Sequence, residues 1–571
     1  MKPRIFFART LLAATLGVVL AASAAAEEKT LRWTTVVNNN DLIPPLYVRN
    51  FNSYNQPSVN ARGVVVIRAR SRGGPPLGPA THGIYTRDMS SPDNPIVHIL
   101  DRTSLVPNPN NLGSKFVETP SFPRIDIDSD TIATRGNHQP VHRYLLGDGT
   151  ETRAGTTGIY TNPFGELVTG QAKLGNVPGM ERFRVPEFSG IQFEVFPGSP
   201  AIADLNTIVF KGNFTAMDFE RTGVYFRTLD PGDMGGDGLS ILIANSVDTL
   251  IPGTTTLFGS TAPPSAARGK AVFTGFDNEW APAVGGIYVA DLEFQPQLAA
   301  LASIGETVPG LDEVAYFNDF GEALAFDGRY VGFWGAWGEE TRTVRLYCPQ
   351  EGNKDRIAYC NQELVCRDSG ETRGDPSSIC DDVDDPKYGT SCYTERRVPV
   401  NQGIFVHDLK KKRTHLVAMT NDGRDDFLFW NYAGKTPCAG MGHSEEGGED
   451  DGESVRWRSS AFVAVSGPGG TAFRVAFKAR SRASEDSALD VPIDAIYVAR
   501  GPGQSEPTVV LDTTMDGQSL DPQAPPGSRV LEIGLEREGF RGRWLAVSAK
   551  MGIAGGEEED DMAGVYVTRI R

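Results

Sequence analysis

The sequence predicts an all-β chain folded as a single seven-bladed β-propeller of four-stranded antiparallel blades. Three observations predict it. A triplet of a small, a β-branched and an aromatic residue recurs seven times, shorter motifs surround it in a fixed order, and the unit left unfinished at the C-terminus is completed near the N-terminus.

The triplets are Gly83-Ile84-Tyr85, Gly158-Ile159-Tyr160, Gly223-Val224-Tyr225, Gly286-Ile287-Tyr288, Gly403-Ile404-Phe405, Ala495-Ile496-Tyr497 and Gly564-Val565-Tyr566. Their first residues are separated by 75, 65, 63, 117, 92 and 69 positions, so a unit of 63 to 75 residues repeats and two units carry insertions. Branched and aromatic neighbours favour a strand at each triplet. Ahead of it stands an apolar run ending in a spacer and a small residue, as in Phe210-Lys211-Gly212, Phe273-Thr274-Gly275, Phe333-Trp334-Gly335, Phe477-Lys478-Ala479 and Val547-Ser548-Ala549. Earlier still come Pro57-Ser58-Val59, Pro123-Arg124-Ile125 and Pro200-Ala201-Ile202. After the triplet a strand-like segment closes on a proline turn, at Val106-Pro107, Val177-Pro178-Gly179, Ile251-Pro252-Gly253 and Val308-Pro309-Gly310. Four short strands between Gly and Pro turns make one antiparallel sheet. Seven such sheets bury their faces only by packing around a ring.

The last unit runs through Trp544–Ala549 and Gly564–Arg569 and stops before its outer strand. Leu31–Val37, leading into Asp41-Leu42-Ile43-Pro44-Pro45, supplies the missing strand and proline turn. Pairing the two ends in one blade closes the ring and leaves no free sheet edge there. The triplet and the strand order resemble TolB-like and related Pro-Asp-rich propellers over the whole mature chain, although the Ser-Pro-Asp-Gly turn typical of that family is not present. The resemblance implies the fold. Such repeats carry binding scaffolds, lyases and hydrolases alike, so it assigns no function.

Lys2, Arg4 and Arg9 precede an apolar stretch of Leu11–Ala22 and a small-residue segment to Ala26, the pattern of a signal peptide over residues 1–26. Residues 27–571 then form the propeller, periplasmic or secreted, with no segment long and apolar enough to span a membrane as a helix. The formal charge of −17 becomes −20 once the three leader cations are subtracted (−17 − 3). That balance argues against nucleic acid, whose affinity comes from Lys and Arg on phosphates. Gly and Pro, 63 and 38 of 571 residues, match a turn-rich globule rather than a disordered chain. In an exported chain the six cysteines, Cys348, Cys360, Cys366, Cys380, Cys392 and Cys438, read as three disulfides of open connectivity.

Loops joining second to third strands share a face with the connections between blades, and the long segments fall there: 135–157, the Cys-rich insert 346–400 and the acidic, Gly-rich loop 434–456. Rigid scaffolds commonly carry function on such loops. The position after each second strand holds Arg70, Asn137, Asn213, Arg480 and Lys550 among others, a set of cations and amides that would bind an anionic group at the axial mouth. His138, His142, Arg143 and Tyr144 form the densest group of catalytic residue types. The expectation is a monomeric binding or scaffold module for a protein or glycan. The alternative is a lyase or hydrolase acting on a polyanionic polysaccharide. No metal ligand set is expected. Asp126-Ile127-Asp128-Ser129-Asp130 reads as a hairpin rather than a calcium loop, and only the acidic runs at 445–451 and 557–561 would suit calcium.

Overall fold

The computed structural model describes residues 31–73, 78–230, 238–279, 281–347, 393–420, 463–467, 472–481, 493–502, 504–553 and 561–570. The leader, the six cysteines, most of the insert and the acidic loop of 434–456 lie outside the described residues. Seven antiparallel sheets of four or five strands form a ring, and almost no helix is present among the described residues.

Blades 1 to 7 have as second strands Val64–Ser71, Ile132–His138, Thr207–Ala216, Lys270–Phe276, Tyr330–Tyr347, Phe473–Ser481 and Trp544–Gly552. The third strands are His82–Asp88, Thr157–Thr161, Phe219–Thr228, Gly285–Asp291, Tyr393–Asp408, Ile493–Gly501 and Met562–Arg569, and every triplet lies in one of them. The inner strand of most blades is broken into two pieces that pair with the same second strand, which is why those sheets count five. The axial pieces Ser58–Val59, Arg124–Ile125, Ala201–Ala203, Ser265–Ala267, Ala325–Phe326, Val463–Ser466 and Phe540–Arg541 touch one another in an unbroken cycle. The outer strand of blade 7 is Thr34–Asn38, paired antiparallel with the third strand so that Thr34 faces Val567 and Asn38 faces Gly564. The ring is thus closed by the two ends, as the repeat count predicts.

The packing explains the repeat. Within each triplet the first and third residues point to the same face, and the tyrosine leans back over the first. A Cβ on Gly83, Gly223 or Gly564 would lie 2.5–2.6 Å from the hydroxyl of Tyr85, Tyr225 or Tyr566. In every blade that glycine or alanine is paired across the strands with the small residue of the second strand: Ala69 with Gly83, Gly136 with Gly158, Gly212 with Gly223, Gly275 with Gly286, Gly335 with Gly403, Ala479 with Ala495 and Ala549 with Gly564. Over this flattened patch an aromatic from the start of the inner strand stands edge-on to the triplet ring. Phe51, Phe116, Phe193, Phe258 and Phe317 approach their partners with ring centroids 4.8–5.1 Å apart and planes at 73–89°. Edge-to-face geometry sets the positive ring edge against the negative face.

The axis is filled with charge. Arg124 of blade 2 meets Glu536 at 2.6 Å, Arg537 donates to the Pro263 carbonyl at 3.1 Å, and Arg541 donates to the Val465 carbonyl at 3.1 Å. Arg537 therefore reaches from blade 7 across to blade 4. All four of these charged residues, with Glu538, are no more than 4 % exposed.

Two predictions follow from this packing. Gly275→Ala places a Cβ 2.6 Å from the Phe258 ring, whereas Gly147 has open space around it. Chemical denaturation should show Gly275→Ala destabilised by about 1–3 kcal/mol and Gly147→Ala within about 0.5 kcal/mol of the parent. Adding Phe258→Leu to Gly275→Ala should cost less than the sum of the single changes. At the axis, Glu536→Gln leaves the Arg124 charge buried without its carboxylate, and the unfolding free energy should drop by about 3–5 kcal/mol.

Candidate functional site

On the face of the inter-blade connections, a cleft of about 520 Å3 opens between blades 7 and 1. Four asparagines (Asn39, Asn40, Asn50 and Asn52), Arg49 and Arg72 line it, with Gln523 and Asp561 across from them. Its shape comes from the connection of residues 39–50. The Ile43-Pro44-Pro45 turn folds that segment back, with the Ile43 N–H donating to the Arg49 carbonyl at 2.8 Å. Asn40 donates to Gln523 at 2.8 Å and Asn38 to Asp521 at 2.9 Å, which ties this connection to the one entering blade 7. Arg72 donates to Asn52 at 2.8 Å and Arg49 to the Pro79 carbonyl at 2.7 Å. Leu46, Tyr47 and Val48 stand exposed on the rim.

Arginines also stand at the end of the second strand of blade 1: Arg68 and Arg70 share the strand face turned to blade 2, and Arg72, one residue past the strand, lines the cleft. Arg68 is buried and donates to the Thr119 carbonyl and to Asn55; burial, then the Arg70 charge, brings its pKa down to about 10. Arg70 sits opposite His82 in the strand register. Burial and the charges of Arg70, Arg68 and Arg102 push His82 down to about 4, which keeps its imidazole neutral at pH 7. The His82 Nδ1 is buried and has no hydrogen-bond partner.

Of the other expected anion ligands, Lys550 pairs at 3.0 Å with Asp561, a residue of the cleft wall. Arg480 is held by Asp494 through two bonds of 2.6 and 3.1 Å, with Lys478 3.4 Å from the same carboxylate. Asn137 accepts from the Thr157 hydroxyl at 2.9 Å. Asn213 sits on blade 3 opposite Thr222, its Oδ1 buried without a partner. Lys550 reaches the cleft wall through Asp561, while Arg70 lies on the strand face turned to blade 2 and Asn137, Asn213 and Arg480 occupy equivalent places on other blades.

The histidine group separates into two environments. His138 ends the second strand of blade 2, 5 % exposed, between Phe116 and Tyr160. Its Nδ1 is 2.9 Å from the Gln139 carbonyl. A carbonyl only accepts, so Nδ1 carries the proton and Nε2 accepts from the Tyr160 hydroxyl. Burial pushes His138 down to about 4. His142, Arg143 and Tyr144 lie instead on a two-stranded hairpin, His142–Leu145 paired with Glu151–Ala154. His142 and Tyr144 share one face of it. Arg143 is exposed on the other, 3.8 Å from Glu151. Burial and the Arg182 charge lower the pKa of His142.

Asp128 and Asp130 lie in the hairpin between the inner and second strands of blade 2, where they pair with Arg268 at 3.0 Å and Arg62 at 2.6 Å. Among the described residues no group of three or more His, Cys, Asp or Glu could hold a metal ion, and no helix is long and apolar enough to cross a membrane.

The fold and this cleft define a β-propeller with an arginine- and amide-bearing surface site. No family model matches the chain, and no curated protein matches it. Among solved structures, it is similar to the polysaccharide lyase Uly1 (10 % identity over 95 % of this chain and 98 % of that one, TM-score 0.38). It is also similar to a Trypanosoma rangeli sialidase (10 %, 82 % and 58 %, TM-score 0.30) and to the periplasmic gluconolactonase PpgL of Pseudomonas aeruginosa (10 %, 77 % and 94 %, TM-score 0.22). These likenesses are distant, and the fold rests on the chain's own strand pairing.

The geometry of His138 generates a pH prediction. Its folded pKa of about 4 lies below the unfolded value of about 6.5. The unfolded chain therefore binds more protons between those values, and stability is lost as pH falls from about 6.5 to 4. This one group accounts for a loss of about 3 kcal/mol. His138→Gln, which retains a hydrogen-bonding partner for Tyr160, should flatten the dependence of unfolding free energy on pH across that window.

Proposed function

We propose that the protein is an exported binding propeller that recognises an acidic glycan at the cleft between blades 7 and 1. The single observation that carries this reading is the lining itself. Four asparagine amides and a glutamine provide paired donors and acceptors that match vicinal hydroxyls, and Arg49 and Arg72 provide charge for a uronate carboxylate. Arg is the side chain whose planar fork fits a carboxylate through two bonds. Export and a disulfide-stapled insert belong to this proposal through the leader pattern and the even set of six cysteines.

A second reading has its own observation. His82 is neutral at pH 7, faces Arg70 across the strands and keeps an unpartnered Nδ1. A neutral imidazole beside a guanidinium that neutralises a carboxylate can take the proton α to that carboxylate, the first step of eliminative cleavage of a polyuronate. In this reading the base is His82 rather than His138 or His142.

Calorimetric titration with a polyuronate oligosaccharide should show saturable binding, with a neutral glucan of equal length giving none. Arg72→Ala should weaken that binding by at least about tenfold, the loss of one charged hydrogen bond. Unchanged affinity in Arg72→Ala would remove the carboxylate-binding reading. Under the second reading the same mixture develops ultraviolet absorbance from an unsaturated uronate, and His82→Ala abolishes that signal while leaving affinity within about threefold.

A further inference from the structure

The opposite face carries the turns between first and second strands and between third and fourth. Several cations on it are answered by carboxylates: Arg62 by Asp130 at 2.6 Å, Arg268 by Asp128 at 3.0 Å and Arg329 by Asp408 at 2.8 Å. The junction of blades 6 and 7 is different. Arg474, at the start of the second strand of blade 6, lies directly opposite Arg500 at the end of the third. Like charges in that arrangement repel across Cβ atoms about 5 Å apart. Arg543, in the first turn of blade 7, is near enough that its charge, after burial and the charge of Arg500, lowers the pKa of Arg474. The Ile570 N–H bonds the Arg543 carbonyl at 2.8 Å, which brings the end of the third strand of blade 7 alongside. Arg569 lies apart from this junction, over the Trp544 indole on the face of blade 7 turned to blade 1, its guanidinium carbon 4.1 Å from the ring centroid.

Three arginines, Arg474, Arg500 and Arg543, are thus gathered between two adjacent blades. No ion pair joins Arg474 or Arg543 to a carboxylate of the described residues. The Arg474 Nη1 is buried and has no hydrogen-bond partner. A buried guanidinium donor without an acceptor costs free energy that an incoming acceptor recovers.

We propose that this junction is a binding site for a tetrahedral oxyanion, sulfate or phosphate, held by Arg474 and Arg543 with Arg500 at its edge. An oxyanion presents several acceptors at once, answers the Arg474 Nη1 and screens the repulsion between Arg474 and Arg500. The site lies on the face opposite the glycan cleft and does not depend on it.

The test uses the full mature chain, titrated calorimetrically with sodium sulfate and, separately, with sodium phosphate in chloride buffer of constant ionic strength. One saturable site with a dissociation constant on the order of 1 mM is expected, and the two arms rank the two anions. Arg474→Gln and Arg543→Gln should each weaken binding at least about tenfold. In chloride alone Arg474→Gln should melt at or above the wild-type temperature, because it removes a like-charge contact. General salt stabilisation by sulfate is common to all three proteins, so the difference between them isolates the site. Absence of saturable heat with both anions would overturn the proposal. So would variants that bind as wild type does, or an Arg474→Gln protein that melts lower in chloride and thereby reveals an internal partner for Arg474.

Discussion

The structure depends on one steric constraint repeated around the ring: two small residues must face each other across the second and third strands so that two aromatic rings can meet above them. Tyr225 illustrates it. Its ring occupies the space over Gly223, and Phe193 stands edge-on to it over Gly212, which would meet that phenyl ring at 2.4 Å if it carried a Cβ. The glycines are present here for volume rather than for backbone freedom. Because the inner-strand aromatic is seated by residues of the second and third strands, the contact joins the interior of a blade to its axial edge. Blade geometry and ring radius are therefore set by the same few atoms.

This is why the fold was legible in the amino-acid sequence. A constraint of that kind leaves a mark within a few residues of chain, and Gly-Ile-Tyr or Phe-Lys-Gly can be recognised without knowing what they touch. The inner-strand phenylalanines were harder to find, since Phe51, Phe116 and Phe258 sit in segments of differing length and composition and only their distance to a triplet ring unites them. The site was legible only in part. Arg70 stood out by its place after a second strand, but Arg68 and Arg72 at period two, and His82 directly ahead of Gly83, carried the same signal unread. The density of His138, His142, Arg143 and Tyr144 along the chain misled for a physical reason. Proximity in sequence does not give a shared environment when a strand end intervenes, and His138 belongs to the core while its neighbours belong to a hairpin.

A net charge of −17 likewise conceals how charge is arranged. Acidic residues neutralise arginines one at a time at Asp494, Asp128, Asp130 and Asp408. Arginines also gather on the two opposite faces, at Arg49 and Arg72 beside the cleft and at Arg474 and Arg543 between blades 6 and 7. Between these faces the axial strands bury Arg124, Glu536, Arg537 and Glu538.

The pairing of Thr34–Asn38 with the last strand has a temporal meaning. The strand Thr34–Asn38 leaves the ribosome long before its partner, because Val567 lies far along the polymer from Thr34. Six blades have all their strands before that moment, and the seventh waits. A nascent chain consequently holds an unpaired early strand and an incomplete late sheet, both of which are satisfied only once Met562–Arg569 has emerged. The ring becomes continuous when, and only when, that strand has arrived.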